Sequence, residues 1–426
     1  MRLRSAFVIA AALLPAAYPL GCTSDDTPAP AEILAGGAGA GASAGGPAGA
    51  MKGAAGAGAG GSVAGSSGAG QGGAGAAGDQ GGQAGAGAGG EAGSGGGSGG
   101  GGGFNGPTYT NPVLNTDFPD PFVLADNGTY YAFSTNAGGS HVRVARSTDL
   151  ATWQELPDAL PELPPWALEN DTLTWAPAVL KRGSQFVLYY TTRHKTSNFQ
   201  CIGRARAVSP EGPYDGAPEF PPSKSPLVCQ VTAPSAFCGS IDPDPFVDPA
   251  SGKAYLHWKS DENASACAGA ARLWAQELSA DGYDVVGAPA VALLQHDQAW
   301  ETPLIENPAM VYESGRYFLF YSANWYESSA YAVGYAECDG PRGPCAKKTI
   351  AGPLFQSAGP ALGPGGASFF TSTFGVRFMA YHAWTAPQTN YPSGGARSLR
   401  LESVTFAGGA PVIAGPTTTP QALPSP

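Results

Sequence analysis

A strand-turn-strand unit recurs along this chain and leaves few folds open to it. In its fullest copy, Ile305-Glu306-Asn307-Pro308-Ala309-Met310-Val311-Tyr312 reaches a turn at Ser314-Gly315 and returns through Tyr317-Phe318-Leu319-Phe320-Tyr321. An apolar run, a glycine turn and an aromatic-rich run are the pattern of two antiparallel strands. Here a carboxylate stands at the entrance to the first. Phe118-Pro119-Asp120-Pro121-Phe122-Val123-Leu124 leads the same way through Asn127-Gly128 into Thr129–Thr135, and Ile241-Asp242-Pro243-Asp244-Pro245-Phe246-Val247 through Ser251-Gly252 into Lys253–Trp258. Two copies lack the acid: Trp175-Ala176-Pro177-Ala178-Val179-Leu180 before Gly183, and Ser368-Phe369-Phe370 before Gly375.

The five turn glycines are spaced by 55, 69, 63 and 60 residues. A period of this size, filled only with strand and turn signals, predicts an all-β, five-bladed β-propeller with one four-stranded sheet per period. Each copy is followed by a third alternating stretch: Val142–Ser147, Ile202–Ala207, Leu273–Leu278, Ala332–Ala336 and Leu399–Ser403. Such alternation suits a sheet held between neighbouring blades. A β-sandwich with coincidental spacing is the alternative.

In a propeller the innermost strands line a central channel, so equivalent positions of different blades converge at one end of it. Asp120, Asp242 and Glu306 are therefore expected to meet. Carboxylates crowded into one pocket cannot all ionise at ordinary pH, and their pKa values are driven apart. One becomes a base and another a proton donor, the minimum equipment for cleaving a glycosidic bond. Taken singly, each Asp-Pro or Glu-Asn-Pro could be a turn starter; three in register are poorly explained that way.

Asp117-Phe118-Pro119-Asp120-Pro121, Trp175-Ala176-Pro177, Gly239-Ser240-Ile241-Asp242-Pro243, Ile305-Glu306-Asn307-Pro308 and Tyr381-His382-Ala383-Trp384 resemble, in this order, the signature segments of glycoside hydrolase family 43. The likeness runs from about Asn111 to Phe406. It implies a five-bladed propeller acting on arabinan, arabinoxylan or xylan fragments, with Asp120 as general base, Asp242 orienting and tuning the acid, and Glu306 as general acid. Asp244 is the competitor of Asp242: strand alternation sends both the same way, and the motif alone prefers Asp242. Asp117 and Glu301 read as rim or loop residues. Two departures from the family pattern are Ala178, where an acidic residue is common, and Gly363–Ala367, where relatives often carry a histidine. The chemistry requires no cofactor. His382 is expected in the channel, either facing sugar hydroxyls or beside a central ion such as calcium, with a structural role as the alternative. Trp175 is the favoured sugar platform, ahead of Trp325 and Trp384, and Arg397 a donor to sugar hydroxyls; for most tryptophans in such a fold, packing between blades is the competing role. The expected reaction is inverting release of terminal α-L-arabinofuranosyl residues, with β-xylosidase or endo-arabinanase activity as alternatives. A non-catalytic carbohydrate-binding propeller is the alternative of another class.

The remaining stretches concern location. Residues 1–22 carry Arg2 and Arg4, a short apolar core and Leu20-Gly21-Cys22, the layout of a secretory signal too short for a membrane span. Its end resembles the lipobox of bacterial lipoproteins, which implies lipid attachment at Cys22; an ordinary cleaved signal with an unpaired thiol is the alternative. Residues 23–103, almost wholly Gly, Ala, Ser and Pro, cannot bury enough surface to fold and read as a tether, with a reach on the order of 50 Å. That leaves 104–426 for the propeller, expected to act as a monomer at the cell surface or outer membrane, or secreted. A net charge of −11 without a Lys/Arg run argues against nucleic acid as partner and for an uncharged saccharide. Of the seven cysteines, six fall in the propeller, as expected of disulfides in an exported domain. Cys338 and Cys345 bracket a short loop and are expected to pair, whereas Cys201, Cys229, Cys238 and Cys267 can pair in three ways.

Overall fold

A computed structural model describes residues 106–424, apart from 171, 216, 231–237 and 264–268. The signal segment, Cys22, the tether and Cys267 lie outside the described residues.

Five antiparallel sheets follow one another along the chain. After a short β1 (Thr108–Tyr109), the first blade contains β2 (Phe122–Asp126), β3 (Thr129–Ser134), β4 (Arg143–Ser147) and β5 (Gln154–Glu155). The second contains β6 (Trp175–Arg182), β7 (Gln185–Arg193) and β8 (Gln200–Ala207), and the third β9 (Ser240–Val247), β10 (Ala254–Ser260), β11 (Arg272–Leu278) and β12 (Val285–Gln295). The fourth has β13 (Ile305–Glu313), β14 (Arg316–Ala323), β15 (Ala332–Cys338) and β16 (Cys345–Lys347); the fifth has β17 (Ala361–Thr371), β18 (Arg377–Thr385), β19 (Arg397–Ala407) and β20 (Ala410–Ile413). A terminal β21 (Gln421–Ala422) pairs with β1. All five turn glycines have positive φ, and Asn127 and Ser314 before two of them do as well, the backbone a tight hairpin turn demands.

The expectation of four strands per blade fails once. Among the described residues the second blade has three, and its outer edge is met by isolated bridges, Gln200 with Gly239 and Ile202 with Val228.

Each blade buries an apolar face against the next. Phe133 and Val144 pack on Val179 and Leu188, and Val187 and Tyr189 on Leu256 and Trp258. Phe246 and Leu273 pack on Met310 and Leu319, and Phe318 and Phe320 on Met379 and Tyr381. Phe370 and Phe378 meet Val123 and Tyr130 and close the ring between last blade and first. Disulfides Cys201–Cys229 and Cys338–Cys345 staple the structure, the second as expected, and Cys238 is also disulfide-bonded.

The heads of the inner strands share one backbone device. Asp120, Ala176, Asp242, Asn307 and Gly363 each precede a proline, and each has φ between 42° and 56°. For a residue with a Cβ this left-handed conformation costs about 1–3 kcal/mol and persists only where its surroundings impose it. Part of the imposition is visible. The N–H groups of Asp120, Ala176 and Asp242 donate to His382 Nδ1 (3.0 Å), Thr135 Oγ1 (2.9 Å) and Thr191 Oγ1 (3.3 Å) of the preceding blade. Asn307 N–H donates to Asp242 Oδ2 (3.0 Å), and Gly366 N–H to Ser322 Oγ (3.0 Å). Register shifts interrupt the pairing of the inner strand with the next at this level in blades two to five.

This corrects the reading of the fifth copy. Its inner strand begins at Ala361, not near Ser368, and its head is Gly363-Pro364. The glycines there are apolar-poor and hide the strand, yet they are needed: a Cβ on Gly365 would collide with the Tyr331 ring, and one on Gly366 would lie 2.5 Å from His382 Nδ1 and 2.8 Å from Asp120 Oδ1.

Candidate active site

Asp120, Asp242 and Glu306 come from the heads of blades one, three and four and act on one another electrostatically. Asp242 is held well above the ordinary carboxylate range, by burial first and then by Glu306, with Asp120 adding to it and Lys259 opposing.

The other two acids are furnished differently. Asp120 receives Thr135 Oγ1–H on Oδ2 at 2.7 Å, while Arg397 lies 3.4 Å from Oδ1. Arg397 is itself locked: its Nε donates to Tyr391 Oη (3.0 Å), and its guanidinium lies 4.8, 5.5 and 5.9 Å from the ring centres of Tyr326, Tyr391 and Trp384. Glu306 accepts Tyr331 O–H on Oε1 (2.9 Å) and Lys259 Nζ on Oε2 (3.1 Å). Burial alone would lower the pKa of Lys259, but Glu306, Asp261 and Asp242 overcome this and keep it firmly protonated.

His382 is fully buried and stacks on Tyr331 with ring centres 5.8 Å apart. Burial and then Arg397 push its pKa well down, so the ring is neutral. Its Nδ1 accepts from Asp120 N–H, which puts the proton on Nε2, a buried atom without a hydrogen-bond partner. In that tautomer His382 offers no lone pair to a cation. Among the described residues no three His, Cys, Asp or Glu side chains group to hold a metal ion.

Among the proposed platforms, Trp175 is half-buried at the head of β6, in the register position that Glu306 occupies in blade four. Trp384 is fully buried and serves packing, and Trp325 is 41% exposed beside Tyr326. Glu301 is no rim residue. It is wholly buried, bonded by Tyr321 O–H, Lys347 Nζ and the N–H groups of Asp297 and Gln298. Asp117 fixes Arg397 by accepting its backbone N–H (2.9 Å). Asp244 does point the same way as Asp242, each accepting an N–H of β13, but it serves Met310 deeper in the sheet. Thr135, Lys259 and Tyr331 were missed. Only Lys259 left a trace, a lysine directly after the run Tyr255–Trp258.

The class is thus an all-β propeller carrying acid–base machinery at one end of its channel. Residues 109–411 match the family described as Glycosyl hydrolases family 43, and the chain belongs to it. A stretch of 109 residues is 33% identical to extracellular endo-α-(1→5)-L-arabinanase 2 of Bacillus subtilis, covering 22% of each chain; the match thus spans about a fifth of that relative. The fold is similar to the crystal structure of a thermostable family-43 glycoside hydrolase, with TM-score 0.65, 29% identity and coverage of 75% of this chain and 100% of that one. It is also similar to an α-L-arabinofuranosidase from Lactobacillus brevis, with TM-score 0.58, 20% identity and coverage of 72% and 97%, a likeness of fold alone.

Proposed function

We propose that the protein is an exported, inverting glycoside hydrolase that releases terminal α-L-arabinofuranosyl residues from plant-type polysaccharides or oligosaccharides. Asp120 takes a proton from water as that water attacks the anomeric carbon, and Glu306 gives its proton to the departing oxygen. Asp242 tunes the pair.

The observation that carries this reading is the unequal furnishing of Asp120 and Glu306. Asp120 is held by a guanidinium and a hydroxyl, and Glu306 is gripped at both oxygens on another blade. Arg397 and its aromatic cage, crowded against Asp120 on one side, support the reading of terminal-sugar release. Internal cleavage of arabinan is the second reading, favoured by the matching segment of the Bacillus subtilis arabinanase. Disulfides support export.

A panel of aryl glycosides and linear arabinan, assayed with two variants, tests both levels. Asp120→Ala should abolish all turnover, because water activation is needed whatever departs. Glu306→Ala should cripple arabino-oligosaccharides yet retain part of the activity on aryl glycosides with acidic leaving groups. Equal losses on both substrates would contradict the roles; fragments of mixed length from linear arabinan would favour the endo reading, and preference for aryl xylosides the xylosidase one.

A further inference from the structure

The bonds between strand heads are not uniform: the fifth blade has Trp384 opposite Leu362 and gives Asp120 N–H to His382, and the third departs in another way. Thr135, Thr191, Lys259 and Ser322 occupy equivalent places near the ends of β3, β7, β10 and β14, opposite Pro119, Trp175, Ile241 and Glu306. Three of the four are hydroxyl residues: Thr135 and Thr191 take the N–H of the residue before proline in the next blade, and Ser322 takes that of Gly366, the N–H of Gly363 going to Ser357. At the fourth place that duty passes to Asp242, whose Oδ2 takes Asn307 N–H, and the position carries a lysine instead.

A lysine there is costly. Its side chain is 1% exposed, and burying an ammonium is tolerated only with close partners. Nζ has two: Glu306 Oε2 at 3.1 Å and Asp261 Oδ1 at 3.3 Å. Because Asp242 already takes the N–H of Asn307, Lys259 is not needed for that bond, and its cation serves the carboxylates in front of it.

From this we infer that Lys259 is a positioning residue for the proton donor: it orients the Glu306 carboxyl and offsets the negative charge that grows there as the proton leaves. The inference rests on Glu306 being the donor. In the step, the Glu306 proton goes to the glycosidic oxygen as the bond to the anomeric carbon breaks and water, losing a proton to Asp120, takes its place. When Glu306 acts as donor, negative charge grows on it in that step, and a fixed cation beside it stabilises the transition state more than the ground state. Asp261 shares Nζ and so moderates the effect. The other ionisable groups around the donor are Asp242 from β9, Tyr331 from blade four, and Asp120 with Arg397 and the neutral His382 beyond it. On the β11 side, Arg272 is paired with Glu262.

Lys259→Met should lower kcat on unactivated arabinosides on the order of tenfold or more, with KM little changed. An aryl substrate with an acidic leaving group should be nearly unaffected. The alkaline limb of the kcat/KM profile should rise by on the order of one pH unit, because the cation no longer favours the ionised donor. Lys259→Arg should keep the wild-type limb. Asp261→Asn, which leaves Nζ to Glu306 alone, should move the limb the opposite way, and it decides the matter should Lys259→Met not fold. An unmoved limb in Lys259→Met, a loss independent of leaving group, or an unmoved or rising limb in Asp261→Asn would each overturn the inference. Glu306→Gln separates the two levels. If it loses both substrate types equally, the donor assignment itself fails. If it spares the activated substrate while the limbs of the other variants stay put, only the role of Lys259 is lost.

Discussion

Asp244 and His257 sit 3.9 Å apart between blades three and four, outside the catalytic trio. Burial raises the Asp244 pKa to about 7, against the opposing hydrogen bond from Met310, and burial lowers that of His257 to about 4, only partly offset by its bonds to Pro341 and Asp244. Alone, a carboxyl with a raised folded pKa contributes stability that is present at low pH and is lost as pH rises through about 7. Alone, a histidine with a depressed folded pKa loses stability as pH falls from its unfolded value towards about 4. Between those limits the folded pair holds one proton on Asp244 and the unfolded pair one on the histidine, so the two slopes cancel. Asp244→Asn keeps an acceptor for Met310 N–H but removes one partner of the cancellation. Its unfolding free energy should therefore fall with acidification below pH 6.5, by up to about 1.4 kcal/mol per pH unit, more steeply than in the wild type. Denaturant titrations at pH 4.5, 5.5 and 6.5 check this; parallel curves for the two proteins would refute the shared proton. Single residues were unevenly legible in the sequence. The three acids stood out because their type and register are written in the repeat, while Arg397 entered only as a candidate donor to sugar hydroxyls. Lys259, Tyr331 and Thr135 did not, because what makes them part of the site is the blade next door.

At the level of the element, the recurrent feature is the left-handed residue before proline. It was visible in the sequence as X-Pro at four heads, but without its conformation, because a residue before proline ordinarily prefers extended backbone. The fifth head was hidden altogether. An inner strand reading Ala361-Leu362-Gly363-Pro364-Gly365-Gly366 has neither alternation nor aromatic content, and the pattern resumed only at Ser368. Those glycines are a spatial requirement of the site rather than a property of the strand. Gly366 has φ 58°, and a methyl group there would press on both His382 and Asp120. Gly366→Ala should leave the propeller folded, since five inter-blade clusters are untouched, but displace the base. We expect kcat to fall about 100-fold or more, with a loss of stability of about 1–3 kcal/mol from the strained backbone. Near-wild-type kcat in a folded Gly366→Ala protein would show that Asp120 is not held where the bulge places it.

The whole molecule matters because no blade owns the chemistry. The blade count, the turn glycines and the inner-strand acids were legible from a period near sixty residues, whereas ring closure was not, since it joins segments some three hundred positions apart. Asn111 binds Leu401 and Glu402, Glu402 also takes Thr417, and β1 lies on β21, so both ends of the domain are sewn into one seam. Closure fixes the distance between blade one, which carries Asp120, and blade four, which carries Glu306. For an attacking water to fit opposite the leaving group, base and donor must stand roughly 6.5–9.5 Å apart; at about 5 Å the base would itself attack and form a glycosyl-enzyme. Asp120 and Glu306 share no hydrogen-bond partner, and each is held by its own set: Thr135, Arg397 and His382 for the first, Lys259 and Tyr331 for the second. The proposed single displacement requires the wider spacing. The first sugar released should carry the inverted anomeric configuration, read by NMR before mutarotation, and added methanol should give no methyl glycoside, because an alcohol intercepts only a covalent intermediate. Methyl glycoside accumulating with retained configuration would mean that Asp120 bonds to the sugar instead of activating water, and the role assigned to it would have to be abandoned.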